Sequence, residues 1–169
     1  MKRGNYDYFI NPITDGVPWI DAALLRDVCN GMVRLLNLDR IGLIVVAEAM
    51  GIHIGSILSY MTDVPFTIVR KRWYSLPGEI AVHQTTGYSK GELYLNGVSE
   101  DTRVVIVDDV ISTGGTMRAL IGALNYAGAN IVDICTAIRR GTPDIGYPYK
   151  ALVRIEVADS RVHVLGTYF

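Results

Sequence analysis

Four short, nearly uninterrupted apolar runs constrain this chain more than anything else in it: "IGLIVVA" (41–47), "VPFTIV" (64–69), "RVVIVDD" (103–109) and "NIVDICTAI" (130–138). Each has the length and composition of a strand buried in a sheet rather than of a half-exposed one. Helical spacing falls between them. Asp21 to Leu36 places Leu24, Leu25, Val28, Val33 and Leu36 on a helical period behind an Asp21 cap, and Ile52 to Tyr60 and Thr116 to Ala127 read as two more helices. Strand, helix, strand at this spacing predicts right-handed parallel units. The tail, "KALVRIEVADSRVHVL", alternates like a hairpin that closes the sheet. The expectation is a single α/β domain across residues 1–169.

Charge narrows the function. Lys plus Arg (16) nearly balance Asp plus Glu (17), which argues against a general affinity for nucleic acid or an anionic membrane. Cys29 and Cys135 lie far apart in apolar stretches and read as buried free thiols suited to a reducing cytosol. The longest apolar run is too short to cross a bilayer, and "MKRGNYDYFINP" has no apolar core behind its basic start. A soluble cytoplasmic protein is expected. His53, His83 and His163 make no metal-ligand spacing with either cysteine, and no Ser-His-Asp order stands out. His53 reads as a packing or capping side chain of its helix.

The chemistry concentrates in "VVIVDDVISTGGT" (104–116), where a strand runs into two carboxylates and then a glycine-rich turn that opens a helix. Gly114 and Gly115 let the backbone approach an anion, and Ser112, Thr113 and Thr116 add hydroxyl donors. Asp108 and Asp109 suit vicinal hydroxyls or the water shell of a magnesium ion. A sugar phosphate satisfies both halves. Neither a Walker loop nor a G-x-G-x-x-G fingerprint is present. Residues 71–92 interrupt the strand-helix pattern with Pro77, glycines and mixed polar and aromatic residues, an insertion of a length that is usually functional or disordered.

The stretch 104–116 closely resembles the 5-phosphoribosyl-1-diphosphate (PRPP) signature of type I phosphoribosyltransferases. The likeness extends to "VVAEAMG" as the diphosphate loop, "VPFTIVRKRWYSLPGE" as the start of the mobile catalytic loop and "GYSKGELYL" as its end. It covers nearly the whole chain and is closest to the archaeal hypoxanthine/guanine phosphoribosyltransferase-like proteins, near the adenine and xanthine enzymes. The resemblance implies the family fold: a central, mainly parallel sheet flanked by helices, a small hood from residues 1–20 plus the C-terminal strands, and a mobile loop at 71–92.

By the same resemblance, Asp108 and Asp109 hold the ribose hydroxyls and Ser112, Thr113, Gly114, Gly115 and Thr116 hold the 5-phosphate. Glu48, Ala49, Met50 and Gly51 bind diphosphate through backbone N–H groups, with a non-proline cis peptide expected at Glu48–Ala49. Arg70, Lys71 and Lys90, at the ends of the loop, bring positive charge to the departing diphosphate, with Tyr88 packing over the site. Tyr8, Phe9, Ile10 and Asn11 resemble the purine-covering hood, and Ile111, Arg139 and Arg140 complete the base-binding set, the arginines expected just after the fourth strand. Magnesium is implied as cofactor, held mainly by PRPP with Asp108 and Asp109 nearby, and a homodimer is implied as the assembly.

Two positions depart from the family. Common hypoxanthine/guanine enzymes carry an aspartate where Ser112 stands, and adenine enzymes carry a loop glutamate where Gly87 stands. No side chain is thereby assigned to the purine proton. The expected reaction converts Mg-PRPP and a purine, hypoxanthine or guanine before adenine and adenine before xanthine, to the nucleoside 5'-monophosphate and diphosphate. The alternative from another class is a regulator that senses PRPP or purines without catalysis. The balanced charge and the absence of room for a helix-turn-helix module weigh against it.

Overall fold

The four apolar runs all become strands of one sheet. The structure is a computed structural model describing residues 2–3, 6–7, 9–85, 90–159 and 161–168, with side chains described for 9–81, 91–159 and 161–168. Strands β1 (Lys2–Arg3) and β2 (Tyr6–Asp7) form a short antiparallel pair. Helix α1 (Ala22–Leu35) follows, capped by the Asp21 carboxylate, which accepts from the Leu24 N–H at 2.8 Å. Its buried face is Val28, Cys29, Gly31 and Met32, whereas Leu24, expected in the core, is exposed.

Strand β3 (Leu43–Ala47), buried along its whole length, leads through α2 (Ile52–Thr62) to β4 (Phe66–Val69). Strand β7 (Arg103–Ile111) leads through α3 (Gly115–Tyr126) to β8 (Asn130–Arg140). Strand β9 (Lys150–Ala158) runs parallel to β8, and β10 (Arg161–Thr167) returns antiparallel along it as the expected hairpin. The sheet order is β10-β9-β8-β7-β3-β4. The C-terminal strands grouped with the hood by resemblance therefore continue the central sheet.

Alternation of the strand side chains divides the core. Val104 and Ile106 of β7 pack with α3, while Val105 and Val107 pack with α1 and α2. The 71–92 insertion is more regular than its composition suggests. After an exposed stretch at 71–78 it becomes a hairpin of β5 (Ile80–Thr85) and β6 (Lys90–Leu95), and Leu93 and Leu95 bury against the α3 side of the sheet. Its tip and Tyr88, like Tyr8, lie outside the described residues, as do the side chains of His83 and Lys90.

Candidate active site

Strand order reverses between β7 and β3: β3 connects outward to β4 on one side, and β7 connects outward to β8 on the other. In an open α/β sheet the crevice at that reversal, beyond the carboxyl ends of the strands, is where ligands collect. The loop after β3 (48–51) and the loop after β7 (112–114) flank it, so two segments far apart in sequence become neighbours.

Asp108 and Asp109 lie inside β7, not after it, because the ladder to β8 continues through Ile111 opposite Arg139. Successive strand residues ordinarily leave opposite faces of a sheet, yet these two carboxyl groups lie within interaction range of each other. Asp108 is buried at 8% exposure, and its carboxylate accepts from the Asp109 N–H at 2.9 Å. Burial, and then the charge of Asp109, pushes the Asp108 carboxyl well above the usual carboxylate range. Asp109 meets the N-terminal segment instead: its Oδ2 accepts from Asn11 Nδ2 at 3.1 Å and from the Thr14 hydroxyl at 2.7 Å.

The glycine turn forms an anion cradle. Gly114, at φ +75°, directs the chain into the first turn of α3, a conformation that an L side chain resists. A Cβ there would stand 2.8 Å from Arg118 Nη1 and 2.8 Å from Ile145 Cγ2. Arg118 crosses behind the turn, donating to the Thr113 carbonyl at 2.9 Å and to the Asp144 carbonyl at 2.7 Å. Asp108 and residues 112–116 line one small cleft at the N-terminus of α3.

In the second loop the Glu48–Ala49 peptide is cis, as the resemblance implies. The Glu48 N–H donates to the Val69 carbonyl at 3.0 Å, Gly51 N–H to Ala47 at 3.3 Å and Ile52 N–H to Ala49 at 3.2 Å. The amides of Ala49 and Met50 are thus the pair without an internal acceptor among the described residues. Gly51 is required by closeness, since a Cβ would lie 3.2 Å from the Ala47 oxygen and 3.2 Å from Val46 Cβ. The Glu48 carboxylate reaches across to the lid's first residues, accepting from Lys71 N–H at 3.1 Å and standing 3.9 Å from Arg70 Nη1. Arg70 and Lys71 are therefore brought beside this loop.

A model of the phosphoribosyl transferase domain matches residues 38–160, both loops and both acids included. The chain belongs to the phosphoribosyltransferase family. It is 62% identical over 98% of its length to a hypoxanthine/guanine phosphoribosyltransferase of Methanosphaerula palustris, covering 90% of that protein. It is 54% identical over 97% of its length to the enzyme of the same name from Methanocorpusculum labreanum, covering 88% of it. Among solved structures, an adenine phosphoribosyltransferase of Thermoanaerobacter pseudethanolicus superimposes with a TM-score of 0.70 at 28% identity, over 79% of this chain and 82% of that one.

In this phosphoribosyltransferase the residues expected at the base are dispersed. Phe9 is half-buried beside the exposed Ile10, but Asn11 is only 3% exposed and spends its amide on Asp109 and on the Ile13 N–H, so it is not a free base contact. Ile111 is buried in the core cluster that includes Met117 and Ile145 and also lines the cleft formed by Asp108 and residues 112–116. Arg139 and Arg140 lie within β8 rather than after it. Arg139 donates to the Gly141 carbonyl at 2.9 Å and stacks over Tyr149 at 5.8 Å, so it shapes the 141–149 connection. Thr14 and Arg118, by contrast, were not singled out by sequence. A threonine in a turn and an arginine on a helix are ordinary until the fold brings them to the motif.

His53 packs as expected, with Nε2 donating to the Ile13 carbonyl at 2.8 Å. The hard oxygens of Asp108 and Asp109 suit magnesium. Among the described residues no group of three or more His, Cys, Asp or Glu side chains gathers to hold a metal. No described helix is long and apolar enough to cross a membrane.

Proposed function

We propose that this phosphoribosyltransferase serves purine salvage, transferring the phosphoribosyl group of PRPP to hypoxanthine or guanine and releasing diphosphate. The observation that carries the base assignment is the 62% identity, along nearly the whole chain, to an enzyme named for those two bases. Adenine is the second reading, favoured by the 28% identical adenine enzyme of the same fold, and xanthine is the third.

The site geometry supports a division of labour. Ser112, Thr113, Gly114, Gly115 and Thr116 at the α3 N-terminus take the 5-phosphate through amides and hydroxyls. Asp108 and Asp109 take the pentose hydroxyls. The amides of Ala49 and Met50, with Arg70 and Lys71 alongside, take the diphosphate. Cleaving the C1–diphosphate bond builds positive charge on the sugar and negative charge on the leaving group, so donors aimed at the latter lower the barrier. The insertion starting at Lys71, with Lys90 at its far end, covers the site and keeps water from competing with the base. Magnesium, held mainly by PRPP near Asp108 and Asp109, supplies further charge neutralisation when bound. The working enzyme is a cytoplasmic homodimer.

The non-catalytic sensor is the reading from another class, and the shaped diphosphate loop argues for catalysis over sensing. Incubation with Mg-PRPP and each purine separately, following nucleotide formation, is the test. Turnover with hypoxanthine or guanine is expected. Turnover with adenine alone would move the substrate to the second reading, and no turnover with any purine would remove the enzymatic one.

A further inference from the structure

The N-terminal turn at 11–15 is built around a carboxylate nearly one hundred residues away. Asn11 Nδ2 and Thr14 Oγ1 converge on the same oxygen of Asp109, at 3.1 and 2.7 Å. The backbone and amide oxygen of Asn11 hold the turn. Its N–H donates to Asp15 Oδ2 at 2.6 Å, its Oδ1 accepts from Ile13 N–H at 3.1 Å, and its carbonyl accepts from Thr14 and Asp15. His53, two residues past the diphosphate loop, ties the turn to α2 through the Ile13 carbonyl at 2.8 Å. Ile13 itself is buried in the core beneath.

A carboxylate beside a second carboxylate otherwise swings toward water, because like charges repel and hydration is lost inside the site. Two donors on Oδ2 fix the plane of the Asp109 group. Neither donor engages Oδ1, so the latch itself leaves that oxygen unoccupied.

We propose that Asn11 and Thr14 are positioning residues for the transfer reaction: they form a latch that orients Asp109 toward the pentose and ties that orientation to the segment carrying Phe9 and Ile10. The inference rests on the reading of Asp109 as a pentose contact. It replaces a role for Asn11 in reading the base with a role in presenting the acid. A purine that displaces or orders this segment thereby changes how the sugar is held.

The test is steady-state kinetics with saturating purine and varied Mg-PRPP, together with thermal unfolding, on Thr14→Val, Thr14→Ser, Asn11→Ala, Asp109→Asn and Thr14→Val/Asp109→Asn. Thr14→Val is near-isosteric and keeps the fold. Losing one hydrogen bond to a charged group is expected to lower kcat/KM for PRPP by about tenfold. Thr14→Ser, which keeps the hydroxyl, recovers most of that loss. In the Asp109→Asn background Thr14→Val adds little further, because the bond that it removes is already weakened. If Thr14→Val and Asn11→Ala lower only the unfolding temperature and leave kcat/KM for PRPP within about twofold of the parent, where each lost bond predicts tenfold, the latch is overturned while the pentose assignment stands. A different pattern, full activity in Asp109→Asn itself, would overturn the pentose assignment and the latch with it.

Discussion

Arg118 and Thr113 are joined at 2.9 Å, guanidinium to carbonyl, so that a side chain in the first turn of α3 holds the outside of the phosphate turn. The same guanidinium reaches the Asp144 carbonyl at 2.7 Å and fastens the turn to the 141–149 connection. Arg118 is not among the residues that line the cleft at 112–116. Arg118→Ala is expected to raise KM for PRPP several-fold and to reduce stability by about 1 kcal/mol, the worth of an exposed hydrogen-bond pair. Arg118→Lys, which lacks the two-pronged geometry, falls between. PRPP titration calorimetry beside thermal unfolding separates the two effects; equal PRPP affinity in all three proteins would refute the bracing role.

Gly114 is the residue that Arg118 leans against. A Gly114→Ala change places a methyl group 2.8 Å from both Arg118 Nη1 and Ile145 Cγ2 while asking alanine for φ +75°. The backbone alone costs about 1–2 kcal/mol, and the turn shifts to relieve the contacts. PRPP binding is expected to weaken at least tenfold, more than the stability change alone explains. Inorganic phosphate as a competitor of PRPP provides the readout: its inhibition constant should rise with the KM for PRPP if the turn holds the 5-phosphate.

Asp108 makes stability depend on pH in an unusual direction for an aspartate. In the unfolded chain such a carboxyl loses its proton near pH 3.9, about the ordinary value, whereas burial and the neighbouring Asp109 charge hold the proton to higher pH in the fold. Between those two values the folded state binds more protons, so stability falls as pH rises through that window. Asp108→Asn removes the penalty. Calorimetric unfolding from acid to neutral pH should show the variant gaining on the parent as pH increases, with little difference at the acid end; a gap that is constant with pH would count against the assignment.

The sheet was legible because a doubly buried strand requires a continuous apolar run, and "LIVVA" and "VVIV" have no other comfortable place in a domain of this size. The glycine turn was legible for a related reason, since Gly114 needs a positive φ that local sequence discloses. The hairpin of β5 and β6 was not. Its glycines and polar residues obscure the strand signal, and part of its support is tertiary, from Leu93 and Leu95 packing on the sheet. The base-side residues were the least legible because their roles depend on side-chain direction. Whether Ile111 faces a ligand or the core depends on the register of β7 against β8, and the chain has no local means of announcing it. Asn11 likewise gained its role from a partner 98 residues distant.

The two cysteines give a prediction independent of the active site. Both are free and fully buried, and burial raises the Cys29 thiol to about 11 and the Cys135 thiol to about 12. The native protein at pH 8 is therefore expected to resist a thiol reagent, with both groups reacting once the chain is unfolded. Unfolded thiols ionise at about pH 8.5, so this pair also makes stability decline as pH rises from there toward 11. Rapid labelling of the native state would contradict the packing of α1 and β8 in the same core.

Lys150 offers a separation of stability from function. Its ammonium caps the end of α1 by donating to the Leu35 carbonyl at 2.8 Å, and it pairs with Asp133, which also accepts from the Asn37 N–H at 2.9 Å. Asp133 pairs in register with Val105, three residues before Asp108 and four before Asp109, which places it about 10–13 Å along the sheet from the acids at the strand rise of a parallel sheet. Lys150→Met keeps the length of the side chain but leaves Asp133 with a weaker set of partners. Because the lysine is partly exposed, the loss is expected to be about 1–3 kcal/mol rather than the larger figure for a sealed pair. That corresponds to a fall of roughly 3–10 °C in Tm for a domain of this size. KM for PRPP and kcat are expected to stay at parent values below the unfolding range. A variant that unfolds early yet binds PRPP normally would show that the β8–β9–α1 corner supports the fold without shaping the crevice. A loss of PRPP affinity in folded Lys150→Met would instead mean that strain at the amino end of β8 reaches the acids through the β7 ladder.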